Sequence, residues 1–409
     1  WIMTQFDEAA AVLPSKSGLG GQKAIGGRWT AEACYAYKGQ GYMWQNDYAN
    51  AKVELAKVIN SGKYELWDKT ATMGPSSYGT NMQLAKSQNE NWSDGSEEYE
   101  YLTLYRAEAD FCDEFLLELD IDGDMTTITS TEPYWFRAYM NWRKDEVNLP
   151  GNTTTASDGW GFINPTRTFG YAFAKHDGNS VRRRAAIATY SEVYHDFPYL
   201  NKDVRGVMSS MLFENEGYFR MKYYDYVDDV VPERFASGQT NGNRTNFPLM
   251  RYADVLLLYA EAVCMSGEGT ANISGLEALN KVRRRAGLTD APALDMDNAE
   301  YGIKAERRFE LWLEDCSRYV DLIRWGDYKK FITDTSIDGV SEHWGNECAW
   351  LVGLKDATKR TTDPTDWSNY EVRYDPLSTR GTWSDRFYLW PFPYAETTQN
   401  PNLVQNTGW

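Results

Sequence analysis

Several features that define common protein classes are absent from this sequence. No uninterrupted apolar run reaches the length of about 18 residues that a membrane-spanning helix requires. The chain opens with Trp1 and shows no succession of basic, apolar and small residues typical of a secretory signal. We therefore expect no membrane-spanning helix, and we expect either a cytosolic chain that has been trimmed or a true N-terminus that lies outside it.

Positive charge is scarce in the chain. Lys and Arg total 42 against 59 Asp and Glu, which gives a net charge of −17. Such a charge repels phosphate backbones and anionic lipid surfaces. The composition therefore predicts that neither a nucleic acid nor a membrane bound through a basic patch is a partner.

Cysteine and histidine are also few, and their spacing does not support a catalytic or zinc centre. The five cysteines form no close pair of the kind that binds zinc, and their odd number leaves at least one thiol free. The three histidines are isolated, and neither an HExxH nor a GxSxG motif occurs. A glycoside hydrolase needs only two suitably spaced carboxylates, so that class stays open. The cysteines are Cys34, Cys112, Cys264, Cys316 and Cys348, and the histidines are His176, His195 and His343.

Aromatic residues are abundant. They make up 15% of the chain, with 16 Trp and 28 Tyr. We expect some of these rings to form core and others to lie at the surface, where a large flat ring with a polar edge can bind a ligand.

The apolar periodicity is mostly helical. Two adjacent helical faces, 31–44 and 49–59, predict a hairpin with small residues where the helices approach, which is similar to a tetratricopeptide unit. Further helices are predicted over 132–144, 167–176, 251–265, 274–286 and 299–325, and strands over 113–122, 181–190 and 217–226. Gly287 should terminate the helix before it. The remaining segments, including 333–386, are predicted to be loops, which gives a mainly α fold with long irregular loops and a few short β-hairpins.

Several ordered blocks of sequence resemble the SusD/RagB family. The most specific runs from Met250 to Ala262, and the others lie later in the chain or near Gly159–Thr166 and Gly27–Leu66. The resemblance covers roughly residues 27–409 and lacks the family's N-terminal part, with its signal peptide, lipobox cysteine and first helices. The later blocks are Ala278–Gly287, Glu306–Leu311, Arg318–Trp325, Pro391–Pro393, Asn400–Leu403 and Gln405–Asn406.

The resemblance implies a fold, a location and a role. Members of that family have a tetratricopeptide-like helical scaffold that carries a loop-rich ligand-binding part, and they sit at the cell surface of the outer membrane through an N-terminal lipid anchor. They act as lids on SusC-like TonB-dependent transporters and capture oligosaccharides or, in some members, peptides, without being enzymes. Here we expect one domain over 1–409, with the scaffold at about 1–66 and 248–330 and the ligand-binding part at about 67–247 and 331–409. The anchor would lie outside this chain, and no cofactor is expected.

Aromatic residues of the expected ligand-binding part are the candidate site. On a helical wheel Trp135, Tyr139 and Trp142 share an arc of about 60°, and Trp160 and Phe162 follow in a loop. The alternative is that this arc is core. A second cluster consists of Trp67, Tyr78 and Trp92. The C-terminal tryptophans Trp344, Trp350 and Trp367 suit either a pocket or a protein interface.

Charged runs have simpler interpretations. Asp120, Asp122 and Asp124 offer carboxylates for calcium, but the glycine is misplaced for an EF-hand, so an exposed turn is the alternative. The runs 182–184 and 283–285 are interpreted as solvated arginines in ion pairs. Glu306-Arg-Arg and Arg324-Trp325 are interpreted as structural, and Glu314 is expected to pair with Arg318.

Four functions remain open at this point. They are glycan capture, peptide capture in a wider cleft, a tetratricopeptide scaffold that binds only proteins, and glycoside hydrolysis. Product formation from a bound glycan would identify the last of these.

Overall fold

The computed structural model of the protein is mainly helical, as predicted. No helix within its described part is both long and apolar enough to cross a membrane. The structure describes residues 1–16, 28–67, 101, 104–105, 109–119, 163–196, 216–223, 246–314, 317–333, 347–376 and 384–409.

The N-terminal helices confirm the predicted hairpin. Helix α1 spans Ile2–Val12, α2 spans Ala31–Trp44 and α3 spans Tyr48–Asn60, and the three pack in succession. Asp47, between α2 and α3, caps α3 by accepting a hydrogen bond from the Asn50 N–H at 3.2 Å. Helices α2 and α3 approach closely at Gly39, where a Cβ atom would lie 2.7 Å from Cγ of Leu55. The small residue therefore sets the distance between these helices.

A mostly buried helix forms the centre of the scaffold. Strand β1 spans Phe115–Leu119 and pairs antiparallel with a second strand, Phe247–Arg251, which leads directly into the buried helix Tyr252–Ser266. Every residue of that helix from 252 to 262 is buried, which explains the nearly continuous apolar run there. The next helix, Gly275–Arg285, ends before Gly287, whose φ of +78° confirms the predicted left-handed terminator.

The mid-chain region differs from the prediction. The sequence predicts one strand over 181–190, but Ser180 caps a helix over Val181–Ala186 by accepting a hydrogen bond from the Arg183 N–H at 3.1 Å. The short strand Ile187–Thr189 follows and pairs antiparallel with Tyr218–Arg220. The burial of Arg182 and Arg183 explains the difference, because their ion pairs require the helical backbone.

The long helix predicted over 299–325 is interrupted. Ile303–Glu310 and Ser317–Arg324 are separate helices, and Leu313 between them has a φ of +63°. The break lets Glu314 pair with Arg251, at 2.6 Å between Oε2 and Nε, rather than with Arg318 as expected.

The later part of the chain contains regular structure within a segment predicted to be loop. Glu347–Leu354 and Tyr370–Pro376 form an antiparallel hairpin. The alternation there is too weak for sequence reasoning to distinguish it from an aromatic-rich loop.

In chain order we number the strands β1–β6 and the helices α1–α12. Strands β2–β6 are Ile187–Thr189, Tyr218–Arg220, Phe247–Arg251, Glu347–Leu354 and Tyr370–Pro376. Helices α4–α12 are Arg167–Asp177, Val181–Ala186, Tyr190–Asp196, Tyr252–Ser266, Gly275–Arg285, Ile303–Glu310, Ser317–Arg324, Tyr328–Thr333 and Tyr394–Gln399.

Strand β1 carries a buried acid with an altered pKa. Glu118 is 5% exposed, and its Oε2 accepts a hydrogen bond from the Phe111 N–H at 2.8 Å. Burial and the negative charge of Asp110 raise the pKa of Glu118 to about 8, and hydrogen bonds from Phe111 and Asn246 offset this only in part.

We expect Glu118→Gln to become progressively more stable than wild type as the pH rises. A carboxyl whose folded-state pKa is raised contributes stability that is fully present below its unfolded pKa of 4.5 and is lost as the pH rises to about 8. The stability difference should therefore shift in favour of the variant by up to about 1.4 kcal/mol per pH unit within this window. Urea denaturation at a series of pH values measures the effect. Glu371→Gln, at an exposed position on β6, is the control, and parallel profiles for Glu118→Gln and wild type would contradict the prediction.

Candidate functional site

The sequence-predicted aromatic site falls mostly outside the described residues, so its role stays a prediction. Trp67 is the member that the structure describes. It is half-buried against a buried apolar cluster, and its backbone N–H donates to Oε2 of Glu114 at 2.6 Å. The members outside the described residues are Tyr78, Trp92, Trp135, Tyr139, Trp142, Trp160 and Phe162.

A buried network of ion pairs joins the scaffold to the elements around it. Arg251 on β4 bonds Glu310 at 3.1 Å, and Arg285 bonds both Glu310 at 2.6 Å and Glu114 at 2.7 Å. Arg251 also bonds Glu114 directly. Burial alone raises the pKa of Glu310, but the guanidinium groups of Arg285, Arg251 and Arg182 lower it well below its usual range. Glu310 therefore stays ionised, and the ion pairs of the network hold β1, β4, α8 and α9 together.

The predicted solvation of the arginine runs is wrong for most of their members. Arg182 and Arg183 are 0% exposed and Arg283 is 4% exposed, whereas Arg284 lies at the surface. The ion pairs expected for these runs are confirmed. Each buried guanidinium of these two runs has a carboxylate partner.

The structural interpretation of two further motifs is also confirmed. Glu306 is fully buried and bonds Arg182 at 2.8 Å. Arg324 bonds Asp321 at 2.9 Å and also pairs with Glu261. Glu306 and Arg324 therefore stabilise helix packing, whereas Arg308, the last residue of the first motif, lines a cleft.

A cleft of about 600 Å³ lies beside this network. Its walls come from α4, the turn 296–300, α9, α10 and α11. Phe309 lies on the apolar side, stacked on Phe173 with ring centroids 4.7 Å apart. His176, at the end of α4, also lines the cleft, and its Nδ1 lies 2.6 Å from Oδ1 of Asp177.

Ion pairs fix part of the cleft wall. Lys304 bonds Asp297 at 2.8 Å and Asp327 at 2.7 Å, which joins the turn 296–300 to the start of α11. Burial alone lowers the pKa of Lys304, but its hydrogen bonds to these two carboxylates raise it above the usual value. The ammonium therefore stays charged and holds the two sides of the cleft at a fixed separation.

Exposed aromatic rings gather near the C-terminus. We call Trp390, Phe392 and Tyr394 the C-terminal aromatic surface; they are 77%, 38% and 83% exposed. The indole N–H of Trp390 donates to the Tyr319 hydroxyl at 3.0 Å, and the Gln405 amide bonds both main-chain groups of Phe392 at 2.8 and 2.9 Å. The rings are thus held in place while their faces meet solvent.

Sequence reasoning missed both the cleft and the C-terminal aromatic surface as binding features. The cleft residues come from segments more than a hundred positions apart, so no local motif marks them. The aromatic surface does have a local signal, because aromatic residues and prolines alternate over 390–394.

The described residues provide no candidate site for a metal ion. Within the described ranges, no three His, Cys, Asp or Glu side chains are arranged to hold a metal ion. The acidic run Asp120, Asp122 and Asp124 lies outside those ranges, so calcium binding there stays a prediction.

Comparison with protein families and curated proteins gives two matches. The model of the SusD family matches residues 113–409 of the chain. A SusD-like protein of Bacteroides ovatus is 28% identical over 164 residues, which is 39% of this chain. The match spans only 28% of that relative's length.

Solved structures share the fold. A SusD-like protein from Bacteroides fragilis is 20% identical, with a TM-score of 0.62 over 100% of this chain and 70% of its own. Surface glycan-binding protein A from Bacteroides fluxus is 22% identical, with a TM-score of 0.60 over 100% of this chain and 68% of its own. The same-named protein from Bacteroides thetaiotaomicron, in complex with laminarihexaose, is 19% identical, with a TM-score of 0.56 over 99% of this chain and 69% of its own.

Proposed function

Because this chain belongs to the SusD family, we propose that it is a cell-surface protein that captures oligosaccharides. The observation that carries the proposal is the family match over residues 113–409. The glycan-binding names of proteins with the same fold support it. In the complete protein, capture would deliver the glycan to a SusC-like TonB-dependent transporter at the outer membrane, to which an N-terminal lipid anchor would attach it.

The chemistry of the surface supports a glycan more than other ligands. A sugar ring has apolar C–H faces and a rim of hydroxyls, so a binder needs exposed flat rings beside hydrogen-bonding groups. Trp and Tyr provide both. Among the described residues, Trp390 and Tyr394 meet this requirement, with the amides of Gln405 and Asn406 beside them. The predicted rings Trp135, Tyr139, Trp142, Trp160 and Phe162 would do so in the loop-rich part.

Capture on such rings needs no catalytic group and no cofactor. We propose that the protein binds a glycan without cleaving it, since neither its motifs nor the match to its family supplies a nucleophile or a metal centre. A calcium ion at Asp120, Asp122 and Asp124 would be structural.

Isothermal titration calorimetry against soluble glycans and a peptide mixture tests this function. We expect heat from one glycan class, with a shift of tryptophan emission and no new product in the recovered sample. Binding of peptides alone would favour peptide capture, and product formation would favour a hydrolase. Heat from neither would contradict capture by this chain.

A further inference from the structure

We propose that the C-terminal aromatic surface is a second glycan-binding site, specific for uncharged glycans, in addition to the rings predicted in the loop-rich part. This inference rests on the proposed glycan-binding function and adds a second site and a ligand class to it. It follows from the way the rings are held, from the polar side chains that follow them and from the scarcity of charge in the same segment.

Side-chain hydrogen bonds fix the main chain that carries these rings. Oε1 of Gln405 accepts from the Phe392 N–H at 2.8 Å, and Nε2 of Gln405 donates to the Phe392 carbonyl at 2.9 Å. Nδ2 of Asn406 donates to the Trp390 carbonyl at 2.6 Å. A proline on each side of Phe392 restricts the backbone further. The segment 390–394 is therefore ordered before a ligand arrives, so binding loses little conformational entropy there.

The ring of Trp390 is held at its edge. Its indole N–H donates to the hydroxyl of Tyr319 on α10 at 3.0 Å, yet the residue is 77% exposed. The ring of Tyr319 in turn packs edge-on against the ring of Tyr328 on α11, with centroids 5.2 Å apart. Because the contact is at the edge, the flat apolar surface of the indole stays available, and it suits the C–H face of a sugar ring.

Tyr394, the first residue of α12, adds a second ring and a hydrogen-bonding group. It is 83% exposed, and its hydroxyl has no hydrogen-bond partner among the described residues. A phenolic hydroxyl both donates and accepts, as a sugar hydroxyl does. Tyr394 can therefore contact the face of one sugar ring and bond a hydroxyl at its rim.

The residues after the rings are polar and uncharged. Over 397–407, eight of the eleven residues are Thr, Asn or Gln. Each carboxamide offers both donors and an acceptor, which matches the double role of a sugar hydroxyl. The core of a protein interface, by comparison, is about 65% apolar. The segment therefore favours a glycan over a protein partner.

Charge is scarce in the same segment. Glu396 is the only charged side chain over 387–409, whereas 25% of the whole chain is charged. Arg386, just before this range, packs on a ring, with its guanidinium carbon 4.6 Å from the ring centroid of Trp409, and it donates to the Gly408 carbonyl at 3.5 Å. A carboxylate or sulfate on a ligand would find no cation to pair with between residues 387 and 409. We therefore expect this surface to select an uncharged glycan.

Isothermal titration calorimetry tests the second site. The probes are the neutral sugars laminarihexaose, cellohexaose, maltohexaose and mannohexaose, and cellohexaose oxidised to the carboxylate at C6. We expect the wild-type protein to bind two molecules of at least one neutral hexasaccharide. Binding at the C-terminal aromatic surface should not depend on salt concentration, because it involves no ion pair. Tighter binding of the oxidised sugar at this surface would contradict its assignment to uncharged glycans.

Variants separate the two sites. Trp142→Ala combined with Trp160→Ala should retain one bound hexasaccharide, and adding Trp390→Ala and Tyr394→Ala should weaken this remaining binding about 30-fold or more, the usual effect of losing a covered tryptophan. Trp44→Ala, which removes a 46% exposed ring from α2, is the control and should change neither stoichiometry nor affinity. Sedimentation velocity accompanies the titrations. A change of oligomeric state in Trp390→Ala with no change in glycan binding would show that the surface joins copies of the chain and would overturn the proposal.

The outcome is separable from the broader function. If a hexasaccharide binds and Trp390→Ala with Tyr394→Ala changes neither its stoichiometry nor its affinity, the second site is wrong and glycan capture stands. If no hexasaccharide and no glycan of the wider panel binds, both proposals are wrong.

Discussion

Replacement of Arg285 by alanine is expected to lower the free energy of unfolding by about 3–5 kcal/mol, the usual result of removing one partner from a buried ion pair. Its guanidinium bonds Glu114 at 2.7 Å and Glu310 at 2.6 Å, and lies 4.6 Å from the ring centroid of Tyr101. Without it, two buried carboxylates lose a positive partner, and burial of that uncompensated charge opposes folding.

The neighbouring residue is a matched control. Arg284 also forms two ion pairs, with Glu277 at 2.6 Å and Asp290 at 2.8 Å, but its side chain is 47% exposed. Arg284→Ala should therefore cost about 0–1 kcal/mol, the usual value for an exposed pair. Equilibrium denaturation in urea at neutral pH measures both variants. Equal losses for Arg284→Ala and Arg285→Ala would show that burial does not determine the strength of these pairs.

Acid should weaken the same network, because the pKa values of Asp177 and Glu310 are lowered by their arginine partners. Asp177, held by Arg182 and His176, has a pKa of about 2 although burial opposes its ionisation. The stability that it contributes is present above its unfolded pKa of 3.8 and is lost as the pH falls toward 2. Loss of one arginine and acidification therefore act on the fold through the same set of contacts.

The helical scaffold could be predicted from the sequence where one apolar face dominates. Helices α2, α3, α7 and α8 follow their predicted ranges closely, because burial of a continuous apolar stripe determines them. The helix predicted over 299–325 failed because the positions of buried charges, not of apolar residues, determine its break near Leu313. Periodicity contains no information on which arginine a glutamate will reach.

The sequence likewise does not show which distant residues come together at the candidate sites. The runs 182–184 and 283–285 look solvated from sequence, since charged residues usually are. In the structure, three of the five ion pairs of the second run join it to acids from other segments. The cleft likewise combines α4 with helices more than a hundred residues later. Aromatic residues in a loop-rich region, by contrast, can be identified from the sequence alone. The prediction of the ligand-binding residues therefore rests on them.

The second large effect concerns those rings: Trp142→Ala and Trp160→Ala are each expected to weaken glycan binding about 30-fold. Loss of a tryptophan that a ligand covers costs about 2 kcal/mol or more at protein interfaces, which corresponds to this factor in Kd. Titration of the glycan found in the panel measures it, with the fold of each variant checked by circular dichroism.

Variants of two further tryptophans distinguish the rings of residues 132–162 from the C-terminal aromatic surface as the place where the glycan binds. Trp44→Ala removes an exposed ring, 46% accessible, from α2 in the scaffold and should leave binding unchanged. Trp390→Ala removes the centre of the C-terminal aromatic surface, where the ring is 77% exposed. If Trp390→Ala weakens binding while Trp142→Ala and Trp160→Ala do not, the glycan lies on the C-terminal aromatic surface and the prediction for residues 132–162 is wrong. If Trp142→Ala and Trp160→Ala alone weaken it, capture belongs to the loop-rich part, because a ring contributes affinity only where the sugar covers it.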